Sequence, residues 1–306
     1  MSLRNLFSSA GIRLPDMQPN TINVGGIVAE VWGMERLTRD PVGEVAVMFF
    51  LHGRTRDKET MHEATQYILA QLQDRKERSA IEKRTHDLLI VTLDSRNHGE
   101  RVVDPNSILG WDQNPMHAVD LYAMVAGGAS EVSQLVSFLP SYLFPDFRGA
   151  AGSPITTWIC AGVSQGGHST WHVGVNDRRV KFLCPIIGSP DYASLFQHRS
   201  KVAGVALVPP AWPKALELLV DESDPVNQPS TVWADKDILV LSGGRDPVVP
   251  FKEGGTEAFI ERLRSDGQTR TRVNVFVDET AKHQTTIGMV NRLVEWLWDD
   301  VLPESV

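Results

Sequence analysis

The sequence predicts an α/β protein, with a mostly parallel, doubly wound β-sheet and helices on both faces. Three observations favour this fold class. Strand-like and helix-like segments alternate through most of the chain, as is typical of right-handed crossovers between parallel strands. Residues 45–51 are apolar throughout, as in a strand buried on both faces. The pattern Gly-Val-Ser-Gln-Gly at residues 162–166 follows an apolar run and opens a helix-like segment.

The composition limits the class of protein. The 306 residues are 42% hydrophobic, enough for one large domain with a substantial core. A net charge of −8 and a pI near 5.6, without a basic stripe, argue against a nucleic-acid partner. Residues 1–19 lack the apolar core of a signal peptide, and no run of apolar residues is long enough to span a membrane. We therefore expect a soluble, cytoplasmic protein with no membrane contact.

The two cysteines give no sign of a metal site. Cys160 and Cys184 both lie inside apolar, strand-like runs, where a cysteine is usually a small buried hydrophobic residue. No group of residues has metal-ligand spacing. We expect no metal and no organic cofactor.

Two strands are predicted near the N-terminus, after an irregular arm at residues 1–20. They cover residues 27–32 and 45–51, and glycine-containing turns flank both, as is typical of strands. Their connection passes through Thr-Arg-Asp-Pro at residues 38–41. A His-Gly-Arg-Thr loop follows the second strand directly.

A helix and a third strand come next. Residues 57–81 are rich in polar side chains but place apolar ones on a single helix face. These are Met61, Ala64, Ile68 and Leu72. Residues 88–93 form a short apolar run, which predicts a buried strand.

A second long helix is predicted from residue 114 to about residue 139. Asn114 and Pro115 are typical of a helix start. The pair at residues 127–128, both glycine, is a predicted weak point, and Pro140 is predicted to end the helix. A Pro- and Gly-rich loop then covers residues 140–156.

The C-terminal half continues the alternation with one interruption. The predicted strands are 158–161, 181–187, 237–241 and 272–277, and the predicted helices are 167–175, 213–219, 251–265 and 285–298. Residues 188–236 are rich in proline and lack enough periodic apolar residues for a second core. We interpret them as a short cap inserted into a single domain that covers residues 1–306.

Ser164 is the candidate nucleophile. A Gly-x-Ser-x-Gly pattern between a strand and a helix predicts a sharp turn, the nucleophile elbow. The turn is so tight that the positions two residues before and after the serine require glycine. The hydroxyl is then exposed at the C-terminal edge of the sheet. The N–H of Gln165, at the helix N-terminus, points at the atom that Ser164 attacks.

A serine hydroxyl needs a histidine base, which in turn needs an orienting carboxylate. His283 is the predicted base, because it lies in the loop between the last strand and the last helix. Asp246 is the predicted acid, in the loop that follows the strand at 237–241. Asp278 and Asp191 are the alternatives for the acid, because each also follows a predicted strand.

These residues resemble the α/β-hydrolase superfamily in type and in chain order. Ser164, Asp246 and His283 carry the resemblance, together with Leu-His-Gly at residues 51–53. It covers about residues 25–300 and implies an α/β-hydrolase fold. Its finer form is similar to small esterases related to dienelactone hydrolases and to prolyl-oligopeptidase catalytic domains.

The same resemblance implies a pair of backbone donors for an oxyanion. Gln165 supplies the first N–H. The loop after the strand at 45–51 supplies the second, which maps to Arg54, with Gly53 and Thr55 as alternatives.

Two histidines outside the predicted triad are given structural roles. The segment Asp-Ser-Arg-Asn-His-Gly at residues 94–99 is similar to a turn common in this superfamily, in which Arg96 and His98 would brace loops. His168, one turn into the elbow helix, is expected to pack that helix or to support the site.

Taken together, the resemblance and the candidate residues imply a serine hydrolase that cleaves a small carboxylic ester without a cofactor. One alternative is a small peptidase or aminoacyl amidase, which would recognise a free amine through cap acids. The candidate acids are Asp191, Asp221, Glu222 and Asp224. The other alternative is a receptor-like binder of the same fold without catalysis. The oligomeric state is not indicated by the sequence.

Overall fold

The computed structural model describes residues 3–37, 43–79, 86–266 and 270–303. One eight-stranded sheet forms its centre. Its strands are β1 (Asn20–Val24), β2 (Ile27–Trp32), β3 (Val45–Leu51), β4 (Asp87–Leu93), β5 (Ile155–Val163), β6 (Val180–Ile186), β7 (Asp237–Gly243) and β8 (Arg272–Asp278). They are arranged in the order β1-β2-β4-β3-β5-β6-β7-β8. The pairs from β4 to β8 are all parallel, and only the pairs β1–β2 and β2–β4, at one edge, are antiparallel. The predicted α/β class with a mostly parallel sheet is confirmed.

Helices cover both faces of the sheet. They are α1 (His62–Arg78), α2 (His117–Leu143), α3 (Gln165–Asn176), α4 (Tyr192–Ala203), α5 (Lys214–Ser223), α6 (Thr256–Ser265) and α7 (Ile287–Trp296), which ends in a wider turn at Leu297–Val301. One apolar core joins the sheet to α1 and α7. The other joins the opposite face to α2, α3 and α6. This is the doubly wound arrangement that the sequence predicts.

Strand β3 shows why the core forms on both faces. All seven of its residues are buried. Because side chains alternate along a strand, Met48 and Phe50 enter the core with α1 and α7, whereas Val47 and Phe49 enter the opposite core. Burial of each such side chain contributes about 1.5–3 kcal/mol. The continuous apolar run therefore fixes β3 at the middle of the sheet.

The N-terminal arm is more ordered than the sequence indicates. Leu3, Leu6 and Phe7 are buried, and the Phe7 ring stacks on that of Tyr67 in α1 at 4.2 Å between centroids. Strand β1, absent from the predicted elements, pairs with β2 through a glycine pair at residues 25–26 in which both φ angles are positive. Such a pair is a typical hairpin signal. The predicted turn at residues 38–41 lies outside the described residues.

Helix α2 does not end at Pro140, so that prediction is wrong. The helix continues to Leu143, and the N–H of Phe144 still donates to the carbonyl of Pro140 at 2.9 Å. A proline inside a helix removes its own backbone hydrogen bond and crowds the preceding turn, but Pro140 lies in the last turn of α2. Leu143 and Phe144 also pack against the core, which offsets that loss.

The glycines in the middle of α2 do not break the helix either. A Cβ on Gly127 would lie 2.6 Å from the guanidinium of Arg96, and one on Gly128 would lie 3.1 Å from Ser169 Oγ in α3. The two glycines therefore let α2 pack closely against its neighbours. Further along, α6 begins at Thr256, five residues after its predicted start.

The segment 188–236 contains α4 and α5, of which only α5 was expected near its position. Asp191 caps α4 by accepting from the Ser194 N–H at 2.8 Å, and Gly204 ends it with φ +66°. A separate apolar cluster joins both helices to the N-terminal half of α2 through Tyr192, Leu195, Phe196, Leu216 and Val220. We keep the interpretation of this segment as an inserted cap.

Within the described ranges, no helix is both long and apolar enough to cross a membrane.

Candidate active site

Ser164 lies in a strained turn between β5 and α3. Its φ of 54° and ψ of −110° are rare for a residue with a side chain. A Cβ on Gly162 would lie 2.3 Å from the carbonyl oxygen of Gly166, and a Cβ on Gly166 would lie 2.4 Å from that of Leu51. Both flanking positions therefore require glycine, as the sequence predicts. The strained turn is held because β3, β5 and α3 pack against one another at this point.

We expect Gly166→Ala to destabilise the protein by at least about 2 kcal/mol, because the new methyl overlaps backbone that cannot move alone. Gly288→Ala is the matched control in another helix, where the nearest atom to the new Cβ is 3.6 Å away. That change should raise stability slightly, since alanine favours helix more than glycine does. Thermal unfolding of the two variants measures both effects. Equal midpoints would show that the turn does not depend on close packing.

His283 and Asp246 reach Ser164 from two neighbouring loops. Ser164 Oγ is 2.9 Å from His283 Nε2, and His283 Nδ1 is 2.7 Å from Asp246 Oδ2. The loops that carry these residues follow β7 and β8 at the same edge of the sheet as the turn after β5. The structure thus brings the three predicted residues into one hydrogen-bonded series.

Asp246 is held as a carboxylate. Burial is the largest single influence and raises the pKa, but the hydrogen bond and charge of His283 and the hydrogen bonds from two backbone N–H groups together lower the pKa below its ordinary value. The N–H groups of Val248 and Val249 contribute, since both donate to Oδ1 at 2.8 and 2.9 Å. An ionised Asp246 can therefore accept from the His283 Nδ1–H, which leaves Nε2 free to accept from Ser164.

The two alternative acids are occupied elsewhere. Asp278 Oδ1 accepts from the Thr280 N–H at 3.1 Å, and its Oδ2 accepts from Thr286 Oγ1 at 2.9 Å. Asp278 therefore fixes the loop that carries His283 without bonding to the imidazole. Asp191 accepts from Ser194 at the start of α4.

The loop after β3 is anchored by His52. Its Nδ1–H donates to the carbonyl of Gly53 at 2.8 Å, and its Nε2 accepts from the Ser95 N–H at 2.9 Å. Burial lowers the pKa of His52 to about 4, so the ring is neutral near pH 7 and can do both. The Gly166 N–H also donates to the His52 carbonyl at 3.1 Å, which joins this loop to the turn at Ser164.

Backbone donors are available on both sides of Ser164. The N–H groups of Arg54 and Gln165 have no acceptor in the described part of the chain, and Arg54 lines the same cavity as Ser164. The N–H groups of Gly53 and Thr55 are equally unengaged. The assignment of the second donor to Arg54 therefore stays a prediction.

The turn at residues 94–99 is a brace, as predicted. Arg96 Nε donates to Glu131 in α2 at 3.0 Å, and His98 Nδ1–H donates to the Arg96 carbonyl at 2.8 Å. Asp94 accepts from the N–H and the ammonium of Lys58 at 2.8 and 3.0 Å. These contacts tie the ends of β3 and β4 to α2.

His168 joins the elbow helix to the start of the cap. Its Nδ1 accepts from the Ser189 N–H at 2.9 Å, and burial lowers its pKa to about 3. The ring is therefore neutral and makes a packing contact, which confirms the structural role predicted for it. Nearby, Trp171 Nε1–H donates to the Gly188 carbonyl at 3.3 Å.

A cavity of about 250 Å³ opens above Ser164 and His283. The loop at residues 53–56 forms one wall, and Arg199 from α4 forms part of another. Sequence reasoning missed Arg199, because α4 was not predicted. The signals for α4 were present in the Asp191 cap and in Gly204 at its end.

The four cap acids lie away from this cavity. Asp191 caps α4, and Asp224 accepts from the Tyr192 N–H. Asp221 and Glu222 are exposed on α5, and none of the four lines the cavity. Among the described residues, no three His, Cys, Asp or Glu side chains are grouped so that they could hold a metal ion.

Comparison with known proteins identifies the fold. No protein-family model matches the sequence, and no curated protein matches it. Among solved structures, TT1662 from Thermus thermophilus is similar over 92% of this chain and 97% of its own, with a TM-score of 0.66 and 20% identity. A hyperthermophilic esterase from Pyrobaculum calidifontis is similar over 97% and 89%, with a TM-score of 0.58 and 17% identity.

A third solved structure is an acylaminoacyl peptidase from Pyrococcus horikoshii, with a TM-score of 0.62 and 11% identity. The similarity covers 99% of this chain but only 44% of that peptidase. At these identities the likeness shows the fold alone. The doubly wound sheet and the strained strand–turn–helix connection at Ser164 define the class of α/β protein. More particularly, the chain has the α/β-hydrolase fold.

Proposed function

We propose that the protein is a serine hydrolase that cleaves small carboxylic esters through an acyl-enzyme. One observation carries the proposal: Ser164, His283 and Asp246 form an unbroken hydrogen-bonded series, and Ser164 and His283 line a cavity. Those groups, in that order, are what nucleophilic catalysis by a serine requires. The proposed partner is a small-molecule ester, with no nucleic acid or membrane, and the proposed location is cytoplasmic, on the sequence grounds given above.

In the proposed mechanism, Ser164 Oγ attacks the acyl carbon while His283 Nε2 takes its proton. Asp246 holds the Nδ1–H and stabilises the imidazolium. The N–H groups of Gln165 and Arg54 bind the oxyanion of the tetrahedral intermediate, each lowering the barrier by about 3 kcal/mol if well aligned. His283 then gives its proton to the leaving alcohol. Water, activated by the same imidazole, releases the acid and regenerates Ser164.

The peptidase alternative has less support. A peptidase of this kind requires a pair of cap acids to bind a free amine. The four candidate acids lie outside the cavity above Ser164. The receptor-like alternative leaves unexplained why all three groups of the triad are present and connected. An ester is therefore the substrate that the geometry favours.

The experiment is turnover of p-nitrophenyl esters from acetate to palmitate, with and without prior treatment with a fluorophosphonate. Turnover that the fluorophosphonate abolishes supports the proposal. No turnover of any member, together with no covalent labelling, would contradict it. A short peptide p-nitroanilide measured in parallel tests the peptidase alternative.

We expect kcat/KM to be highest for acyl chains of about two to six carbons. Each added methylene helps by about 0.8 kcal/mol only while there is room to bury it. The cavity has a volume of about 250 Å³, and α4 contributes Arg199 to its lining. Helices α4 and α5 are packed on α2 through a buried cluster, so we expect the cavity to have little room to expand. A rate that continues to rise beyond about ten carbons, or activation by a lipid interface, would contradict this picture and indicate a lipase.

A further inference from the structure

The cavity above Ser164 carries positive charge, although the whole chain has a net charge of −8. Arg54, Arg56 and Arg199 all line it, and no Asp or Glu from the described residues does. None of the three arginines forms an ion pair within the described part of the chain. Most arginines on a protein surface need no partner, but these face the site of the proposed chemistry.

Arg199 is the most confined of the three. Its Nε–H donates to the Val248 carbonyl at 3.0 Å, and its guanidinium lies 5.3 Å from the centroid of the Phe196 ring. These two contacts fix the orientation of the group. Its Nη1 is buried and has no hydrogen-bond acceptor among the described residues. A buried charged donor without an acceptor is costly. Because the Arg199 side chain lines the cavity, a ligand bound there can supply the guanidinium with an acceptor.

The guanidinium is charged when it meets that ligand. Burial lowers the pKa of Arg199, to about 10, which still leaves it protonated near neutral pH. Asp246 is the carboxylate whose negative charge raises the pKa of Arg199. Asp246 is already bonded to His283 and to two backbone N–H groups. It is therefore engaged elsewhere.

We propose that Arg199 binds a carboxylate on the substrate, so that the preferred substrates are small esters that carry a negative charge. This inference rests on the proposed hydrolase function. Arginine suits the role because its planar fork can bind both oxygens of a carboxylate. Arg54 adds to the positive field, although its own Nη1 donates to the Ile108 carbonyl.

The test compares substrates that differ only in charge, with the carboxylate on either side of the ester. Monoethyl succinate is matched with ethyl 4-methylpentanoate, in which an isopropyl group replaces the carboxylate. Sodium 4-acetoxybutanoate is matched in the same way with 4-methylpentyl acetate. Acid release in a pH-stat gives kcat/KM for each, and the anionic member of at least one pair should be favoured about tenfold or more.

Arg199→Met then tests the residue, because methionine is flexible and apolar but carries no charge. The ratio of anionic to neutral kcat/KM should fall by about 10- to 100-fold, the range expected for a lost charge-assisted hydrogen bond. Lys201→Met is the matched control: it removes a positive charge from an exposed position on the same helix and should leave the ratio unchanged. An equal loss on both members would overturn the proposal and make Arg199 a support for the loop at Val248.

Binding separates this inference from the proposed function. Calorimetry with 4-acetoxybutanoate on Ser164→Ala, and on Ser164→Ala combined with Arg199→Met, needs no catalysis. Binding that Arg199→Met weakens about tenfold or more would support the anion site even if no ester were hydrolysed. Hydrolysis of neutral esters with no charge preference, and no binding that depends on Arg199, would overturn the anion site while the hydrolase proposal stood.

Discussion

Ser164→Ala should lower kcat for ester hydrolysis by about 10⁶-fold and abolish covalent labelling by a fluorophosphonate. Removal of the nucleophile in a serine hydrolase has an effect of this size, because the remaining groups have no oxygen to activate. The hydroxyl bonds to His283 and to no other group in the part of the chain that the structure describes. Alanine keeps the Cβ, so the backbone at φ 54° is no more strained than before. The thermal midpoint should therefore change little.

Ser130→Ala is the matched control for this experiment. Ser130 is exposed on α2, and its hydroxyl donates to the Ala126 carbonyl of its own helix. That variant should keep both turnover and labelling. Labelling is read by intact-mass spectrometry, which also counts the sites modified. A Ser164→Ala protein that is folded and still labelled would place the nucleophile at another residue and contradict the elbow assignment.

The sequence is informative where local chemistry dictates the structure. β2 and β3 have the predicted bounds. β3 is an unbroken apolar run and β2 is apolar except for Glu30, which leaves few other ways to bury them. The glycines at residues 162 and 166 are required by one tight turn, so the pattern predicts the strain at Ser164 as well. Loop residues at the ends of parallel strands meet at one edge of the sheet, which is why His283 and Asp246 could be named from their order.

Other features depend on contacts that are distant in sequence. Pro140 lies within α2 because Leu143 and Phe144 gain burial against residues far along the chain. The position of Arg199 at the cavity depends on how the cap folds back over α2. The choice among Gly53, Arg54 and Thr55 as an oxyanion donor depends on the direction of single N–H bonds, which composition and spacing do not encode.

Asp246→Asn should lower kcat by about 10⁴-fold, because it forces the wrong tautomer of the base. The N–H groups of Val248 and Val249 both donate to Oδ1, so an asparagine places its carbonyl oxygen there. Its NH₂ group then takes the position of Oδ2 and faces His283 Nδ1. A donor at that point requires Nδ1 to be unprotonated and puts the proton on Nε2. In that tautomer Nε2 cannot accept the proton of Ser164.

Asp278→Asn is the matched comparison, since it makes the same chemical change at the other acid near His283. Asp278 bonds to Thr280 and Thr286, and an amide can keep most of those contacts, so kcat should fall by less than about tenfold. Steady-state kcat on one p-nitrophenyl ester, with thermal midpoints for both variants, measures the difference. Raising the pH should not restore the kcat of Asp246→Asn. The defect is that the wrong nitrogen of the imidazole carries the proton, and a higher pH does not move it. If Asp278→Asn instead caused the larger loss, the orienting acid would be at the end of β8, and the hydrogen bond at 2.7 Å between His283 and Asp246 would be structural.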